Sequence, residues 1–199
     1  PEGSETTLNG EPAEIEAVET VLAELGGKNG GTAAVAATTD LPVGAGFGVS
    51  GAAALGTALA ANEAFACGRS ENELVRTAHV AEVEAGTGLG DVVAQARGGV
   101  PIRLEPGAPG YGELDGVPAG ARIEYVTFGD LSTAEVLAGD TTALTEAGER
   151  ALTALRRTPI LPALMAASRT FAREAGLLGP EVAEAIEAAR IDLVFTAGP

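Results

Sequence analysis

The stretch that decides the fold is Pro42-Val-Gly-Ala-Gly-Phe-Gly-Val-Ser50, which runs directly into Gly51-Ala-Ala-Ala-Leu55. Its glycines stand at alternate positions, and glycine tolerates the positive φ angles that curl backbone N–H groups around one anion. The uncharged, Ala-rich segment that follows has strong helix propensity. A helix N-terminus presents free N–H groups and the positive end of the helix dipole. The pattern therefore predicts a phosphate-binding loop, in which Ser50 either caps the helix or offers its hydroxyl to a metal ion.

The spacing of this loop excludes the two common glycine-rich phosphate motifs. The loop lacks the Gly-Lys-Ser/Thr of a P-loop, and Gly44-Ala-Gly46-Phe-Gly48 does not have the spacing of the dinucleotide fingerprint. It resembles instead the Pro-x-Gly-x-Gly-Leu-Gly-Ser-Ser-Ala loop of the GHMP kinases. Phe47 replaces the usual Leu of that loop, and Val49 replaces the first of its two Ser residues. The resemblance implies that the ATP phosphates contact Pro42, Gly44, Gly46, Phe47, Gly48, Ser50 and Gly51.

The bulk composition limits the partners of the chain. Its 199 residues include 28 acidic and 12 basic ones, for a net charge of -16, and Lys28 is the single lysine. Because no basic patch exists to meet phosphates, the sequence predicts that no nucleic acid is bound. The acidic residues are spread along the chain, which indicates a solvated surface. This suits a salt-rich cytoplasm and suggests a halophilic source, with an ordinary acidic protein as the open alternative.

The longest uncharged run, from Leu41 to Asn62, invites comparison with a membrane span. Pro42 and the alternating glycines occupy its first third, so the remaining apolar helix is too short to cross about 30 Å of hydrocarbon. We therefore expect a buried core helix and no membrane contact. No secretory signal is visible at the start, and the single cysteine, Cys67, cannot form an intrachain disulfide. The expected location is cytoplasmic.

The order of the predicted elements indicates an α+β protein with two lobes, in which mixed sheets pack against helices. We expect an N-terminal ATP- and Mg²⁺-binding lobe over residues 1–110, a Pro/Gly-rich linker over residues 105–120 and a C-terminal α+β lobe over residues 120–199. Predicted strands are Thr32–Thr39, Val100–Leu104 and Arg122–Phe128. Predicted helices are Glu11–Leu25, Gly51–Cys67, one starting at the capping-box-like Ser70-Glu-Asn-Glu73, Asp91–Ala96, Ser132–Leu137, Thr141–Arg157, Leu161–Ala175 and Pro180–Arg190.

A second cluster of chemistry-bearing residues lies between residues 78 and 99. Phosphoryl transfer needs a carboxylate that holds the bridging metal ion and a group that deprotonates or orients the attacking hydroxyl. Glu82, on the predicted helix after the loop, could hold Mg²⁺ together with the Ser50 hydroxyl, although Glu84 competes for this role and helical Glu residues are often simply solvated. Asp91 follows a glycine turn at a helix start, where the dipole favours its ionised form, and it could be the base or a plain N-cap.

This cluster also resembles the GHMP kinases that use an aspartate base. In those kinases a helical Glu is followed by Ser/Thr-Gly-x-Asp and then by a Gly-Gly pair, so the resemblance places the Mg²⁺ ligand at Glu82, the catalytic base at Asp91 and the glycine pair at Gly98-Gly99. The usual Asn after the Asp is replaced here by Val92. His79 has no evident role, and Gln95 and Thr87 are further candidates for lining the pocket.

Within the superfamily, the chain most resembles the archaeal pantoate kinases. The resemblance is carried by residues 41–52, 78–84, 87–95 and 103–110, about a third of the chain. It implies ATP- and Mg²⁺-dependent phosphorylation of the primary hydroxyl of pantoate, on the archaeal route to coenzyme A. It also implies that Arg103 contacts the substrate carboxylate, since an Arg fork pairs with a carboxylate in two parallel hydrogen bonds. By analogy with related enzymes we expect a possible homodimer.

Two alternatives stay open at this point. One is a GHMP kinase for another acceptor, such as shikimate, homoserine or a mevalonate-type acid. The other is a non-catalytic GHMP-like binding protein, in which the loop senses an anion and Asp91 is only a cap. We find neither the opening strand segment nor the closing glycine-rich motif of the superfamily, so we expect this chain to be a fragment of low activity whose full-length parent is a kinase.

Overall fold

The computed structural model describes residues 5–26, 33–129 and 136–189. The described residues fall into two compact units. The first draws on residues 5–26, 33–43, 47–98 and 105–113, and the second on residues 44–46, 99–104, 114–129 and 136–189. Helices and small sheets occur in the same chain, so the predicted α+β class is confirmed.

The first unit opens with a three-stranded mixed sheet. Strands β1 (Thr6–Leu8), β2 (Glu11–Pro12) and β3 (Val35–Ala37) lie in the order β2-β1-β3, with β2 antiparallel and β3 parallel to β1. The prediction that a helix begins at Glu11 is wrong, because Asn9 and Gly10 turn the chain into a hairpin with φ angles of 54° and 87°. Asn-Gly is the sequence most strongly associated with such two-residue hairpin turns.

Four helices build the core of the first unit. They are α1 (Glu16–Gly26), α2 (Val49–Ala64), α3 (Glu71–Glu84) and α4 (Asp91–Arg97), and α2 packs against each of the other three. The face that α2 buries is made of small residues, which lets the neighbouring helix backbones approach closely. Each fully buried Val or Leu side chain contributes about 1.5–3 kcal/mol through removal from water. The buried residues are Val18, Val21 and Leu25 on α1, Ala54, Ala58 and Ala61 on α2, Leu74, Val75, Ala78 and Ala81 on α3, and Val92 and Val93 on α4.

Helix α3 begins as its sequence predicts. The backbone N–H and the hydroxyl of Ser70 both donate to Glu73 Oε2, at 2.9 and 2.8 Å. In a capping box, the bond from the Ser70 backbone is matched by one in which the Ser70 side chain accepts from the Glu73 backbone N–H, and both are present at this helix start. Along the helix that follows, the apolar stripe from Leu74 to Ala81 is buried, and Glu82 is buried with it.

Within the described residues, the second unit includes a two-stranded sheet and several helices. Strand β4 (Val100–Glu105) pairs with β5 (Glu113–Val117), and the helices are α5 (Thr142–Arg157), α6 (Leu161–Glu174) and α7 (Pro180–Ala189). Ile102, Val117 and Leu155 form the buried cluster of this unit. Strand β5 lies inside the segment for which the Pro and Gly residues predicted a linker.

Residues 121–129 differ from their prediction. The alternation in Arg122–Phe128 predicts a strand, but these residues form neither strand nor helix and are exposed, with Ile123 retaining 79% of its accessible surface. A strand needs a neighbour to accept and donate its backbone hydrogen bonds, and within the described ranges no strand pairs with this segment. The helix predicted at Ser132–Leu137 lies mostly outside the described residues, as does Arg190.

None of the helices within the described ranges is both long enough and apolar enough to cross a membrane.

Candidate active site

The glycine loop has the backbone conformation that its sequence predicts. Gly44, Gly46 and Gly48 adopt φ angles of 78°, 77° and 64°, the left-handed region that favours glycine. Pro42, before this run, and Phe47, within it, are half-buried. The prediction that α2 begins at Gly51 needs a small correction: Gly48 is the N-cap and Val49 is the first helical residue.

Ser50 therefore lies in the first turn of α2, past the capping position. Its hydroxyl donates to Glu82 Oε1 at 2.5 Å, and the hydroxyl of Thr87 donates to the same oxygen at 2.7 Å. The two hydroxyl oxygens are 3.3 Å apart. Of the two roles that the sequence left open for Ser50, the cap is wrong, because Gly48 is the N-cap, and the Ser50 hydroxyl is bonded to the carboxylate proposed as its fellow metal ligand.

Glu82 is a buried carboxylate on α3. Only 1% of its surface is accessible, yet within the described residues its second oxygen, Oε2, has no hydrogen-bond partner. It also lies in the last turn of α3, where the negative end of the helix dipole disfavours a further negative charge. Because a buried carboxylate oxygen without a partner is costly, this oxygen is placed to receive a cation.

Two glycines leave room in front of Glu82 Oε2. A Cβ on Gly88 would lie 2.2 Å from Glu82 Oε2 and 3.1 Å from Asp91 Oδ2, so both carboxylates face the same small space. A Cβ on Gly51 would lie 3.2 Å from Glu82 Oε2 and also 3.2 Å from Asp91 Cβ. Carboxylate and hydroxyl oxygens are the donors that Mg²⁺ prefers, so the residues at this space fit that ion.

Asp91 is the first residue of α4, and the N-cap of that helix is Gly90. Its side chain is exposed, at the positive end of the helix dipole, which favours the ionised carboxylate. The position differs from the plain N-cap that the sequence left as an alternative. An accessible, ionised carboxylate beside a cation space can accept a proton from a hydroxyl group.

Helix α4 also contacts the glycine loop through Gln95. Its side-chain amide Nε2 donates to the carbonyl oxygen of Gly48 at 2.9 Å. From the sequence, Gln95 and Thr87 were only general candidates for lining the pocket, and Gly88 was not singled out. The Thr-Gly-Leu-Gly-Asp motif marks the position of Gly88, but its lack of a Cβ matters only once the Glu82 carboxylate is seen beside it.

Three further residues singled out in the sequence lie elsewhere on α3 and on β4. His79 is buried on α3, one turn before Glu82. Glu84, which competed with Glu82 as a metal ligand, is exposed. Arg103 is a half-buried residue of β4, and it belongs to the second unit. The structure thus brings together Gly48, Ser50, Gly51, Glu82 and Asp91, all of them residues of the first unit.

No group of three or more His, Cys, Asp or Glu side chains that could hold a metal ion occurs in the part of the chain that the structure describes. The space at Glu82 offers two carboxylates and neighbouring hydroxyls. Mg²⁺ is commonly held by one or two carboxylates, with water and substrate phosphates supplying the other ligands. The donor set is therefore that of a phosphate-linked magnesium site.

Comparison with known proteins identifies the family to which this chain is similar. Residues 14–99 match the GHMP kinases N-terminal domain. The pantoate kinase of Thermococcus kodakarensis is 42% identical over 147 residues, which cover 73% of this chain and 48% of that protein. The pantoate kinase of Methanocaldococcus jannaschii is 37% identical over 163 residues, which cover 81% of this chain and 58% of that protein.

A solved structure described as a phosphotransferase related to the CoA biosynthesis pathway has the same fold, with a TM-score of 0.72 at 31% identity. The match covers 94% of this chain and 63% of that one. This chain thus spans about half to three fifths of the length of the relatives that it matches, 48% and 58% for the two pantoate kinases. The chain belongs to the GHMP kinase superfamily.

Proposed function

We propose that the protein is a kinase that transfers the γ-phosphoryl group of ATP to the primary hydroxyl of pantoate, giving 4-phosphopantoate for coenzyme A biosynthesis. The observation that carries the reaction type is the buried Glu82 carboxylate, whose Oε2 faces the same space as Asp91 beside the start of α2. The substrate is inferred from the two pantoate kinases that match most of this chain.

The glycine loop is the proposed binding site for the ATP phosphates. Positive φ angles at Gly44, Gly46 and Gly48 lead into α2. The first N–H groups of a helix have no partner within the helix, and together with the dipole they stabilise a phosphate. Pro42, Phe47 and Gly51 complete the loop in this proposal, on the strength of the family resemblance.

Mg²⁺ is the proposed cofactor, held by Glu82 and the oxygen of Ser50. When bound, it would neutralise charge that develops on the transferred phosphoryl group. Ser50 and Thr87 both donate to Glu82 Oε1, which fixes the rotation of the carboxylate and leaves Oε2 as the oxygen available to a cation. These hydrogen bonds orient the Glu82 carboxylate, and a contact such as that of Thr87, made to a metal ligand from outside its coordination shell, tunes metal affinity.

Asp91 is the proposed general base, and it would accept the proton of the attacking pantoate hydroxyl. Arg103 is proposed to hold the pantoate carboxylate, because a guanidinium pairs with a carboxylate in a fixed, two-bond geometry. With the acceptor oriented at one end and its hydroxyl deprotonated at the other, positioning and charge neutralisation supply most of the rate acceleration.

The test is a coupled ADP-release assay at high salt, with ATP, Mg²⁺ and a panel of pantoate, shikimate, homoserine and mevalonate. It is run on the protein expressed from its complete gene. We expect turnover with pantoate, and in Asp91→Asn a fall in kcat of about 10²–10⁴-fold, the usual contribution of a general base. The Kd for ATP should stay within about twofold, since the substitution leaves the loop contacts in place.

Asp115→Asn is the matched control, because Asp115 is an exposed aspartate on β5 and is not among the candidate site residues. It should leave kcat unchanged. Turnover with another acceptor and not with pantoate would contradict the proposed substrate but agree with the proposed mechanism. Binding of ATP without phosphorylation of any acceptor would favour a non-catalytic binding protein instead.

A further inference from the structure

Gln95 makes a contact with the glycine loop that the proposed chemistry does not use. It lies one turn after Asp91 on α4, and its Nε2 donates to the Gly48 carbonyl oxygen at 2.9 Å. The same carbonyl accepts the first hydrogen bond of α2, from the Ala52 N–H at 3.0 Å. Two donors from different elements therefore hold one carbonyl at the junction of loop and helix.

Holding this carbonyl also fixes an N–H group. The Gly48 carbonyl and the Val49 N–H belong to one planar trans peptide unit, so they point in opposite directions and rotate together. The Val49 N–H is the first of the helix α2, among the donors that an anion at this N-terminus would use. Rotation of the peptide would turn this donor away from the anion.

The contact also depends on the absence of a side chain at Gly48. A Cβ there would lie 2.8 Å from Gln95 Nε2, and 3.1 Å from Asp91 Cβ. The loop backbone thus lies directly against the side chains of α4, and Gly48 is held between Asp91 and Gln95. The position of the loop relative to Asp91 is consequently set by two residues on one helix.

We propose that Gln95 is a positioning residue that orients the Gly48–Val49 peptide for binding of the ATP phosphates and keeps the loop in register with Asp91. The inference rests on the proposed function for its ligand, ATP. Gln95 acts through the loop backbone, and its side chain is exposed, so its hydrogen bond adds little to the stability of the fold.

The experiment is direct binding of MgATP to the full-length protein, measured by calorimetry, together with steady-state kinetics. Gln95→Met keeps the length and shape of the side chain but removes the donor. We expect the Kd and the KM for ATP to rise about three- to tenfold, which corresponds to one hydrogen bond. The KM for pantoate should change less than about twofold, since the contact is with the loop alone. Gln95→Glu, which places an acceptor against the carbonyl, should weaken binding more than Gln95→Met.

Arg97→Met is the matched control, because Arg97 is an exposed residue of the same helix whose side chain donates to the Gly98 carbonyl oxygen. Its Kd for ATP should stay within about twofold of the unaltered protein. An unchanged Kd in Gln95→Met would overturn the inference. So would an equal rise in both KM values accompanied by a fall in Tm of several degrees, which would mean a merely structural role.

Failure of the inference and failure of the proposed function give different results. Weaker MgATP binding in Gln95→Met with no phosphorylation of pantoate would contradict the function and support the positioning role. Pantoate phosphorylation with unaltered ATP binding in Gln95→Met would contradict the positioning role alone.

Discussion

Helix α3 has a glutamate in its first turn and another in its last turn, and the two carboxylates differ in burial and in hydrogen bonding. Glu73, in the first turn, retains 42% of its side-chain surface, and both of its oxygens have partners, in Ser70 and Arg69. Glu82, in the last turn, is 1% accessible and leaves Oε2 without a partner in the described residues. The hydrogen bonds of Glu73 are all made to neighbouring residues of the protein, whereas Glu82 Oε2 is available to a cation.

The helix dipole strengthens this contrast. At the N-terminal end it favours the charge of Glu73, and at the C-terminal end it opposes the charge of Glu82. The hydrogen bond from the Ser70 backbone, followed by those from its hydroxyl and from Arg69, lowers the pKa of Glu73 from 4.5 to about 2. In helix α3, the carboxylate whose charge burial and the dipole oppose is the one that leaves an oxygen available to a cation, and the carboxylate whose charge is favoured stabilises the helix start.

The sharpest test of this contrast is to fill the space in front of Glu82. A Cβ on Gly88 would lie 2.2 Å from Glu82 Oε2, so in Gly88→Ala the carboxylate must move away from its two hydroxyl donors. We expect kcat/KM to fall by about 100-fold and the Mg²⁺ concentration for half-maximal activity to rise, as disturbed metal ligation does. Both are read from a Mg²⁺ titration of the phosphorylation assay.

Gly86→Ala is the control from the same turn. Gly86 has a φ of 68° and nothing within 4 Å of its Cβ position, so it carries backbone strain without a collision. It should lower the free energy of unfolding by about 1–2 kcal/mol and leave the Mg²⁺ dependence unchanged. Equal losses of activity in the two variants would mean that the space at Glu82 is irrelevant.

A smaller effect is expected when the donors to Glu82 are altered. Thr87→Val keeps the shape of the side chain but removes the hydroxyl that donates to Glu82 Oε1 at 2.7 Å. The carboxylate is then held by Ser50 alone, and we expect apparent Mg²⁺ affinity to fall about tenfold, as for other outer contacts of metal ligands. Thr87→Ser, which keeps the donor, should restore most of it. If both variants titrate like the unaltered protein, the two-hydroxyl clamp on Glu82 has no role.

The smallest effect is expected at the other end of α3, and it concerns stability alone. The folded-state pKa of Glu73 lies below its ordinary value, so its contribution to stability is present above about pH 4.5 and is lost as the pH falls towards about 2. The free energies of unfolding of Glu73→Gln and the unaltered protein should therefore differ above pH 4.5 and converge by pH 2. Denaturant titrations across this range measure the difference. A difference in free energy of unfolding that grows as the pH falls would contradict this prediction. A change in the Mg²⁺ dependence of activity in Glu73→Gln would contradict the assignment of Glu73 to stability alone.

Much of the candidate site could be read from the sequence. The loop glycines adopt the positive φ angles that their spacing predicts, and the capping box starts α3 at the predicted residues. The sequence left open whether Glu82 or Glu84 is the metal ligand, and the structure shows that Glu82 is buried and Glu84 exposed. Roles for Asp91 and Arg103 stay predictions that await the kinetic tests.

Other features were missed for identifiable reasons. The Asn9-Gly10 hairpin signal was present but was overridden by the helical stripe that follows it. In Arg122–Phe128 the alternating pattern is typical of a strand, but strand formation also depends on a pairing partner, which a local pattern cannot supply. The contact between Gln95 and Gly48 spans 47 residues of chain and has no local signature.

The sequence by itself determined the backbone conformation of the glycine loop and the residue at which α3 begins. Backbone φ is limited by the residue's own side chain and its nearest neighbours, so glycine spacing and capping residues act locally. Tertiary structure decided which carboxylate is buried, which of its oxygens is left open, and that Gly88 and Asp91 face that oxygen. Burial and hydrogen-bond partners come from residues distant in the chain, and they exist only once the helices have packed.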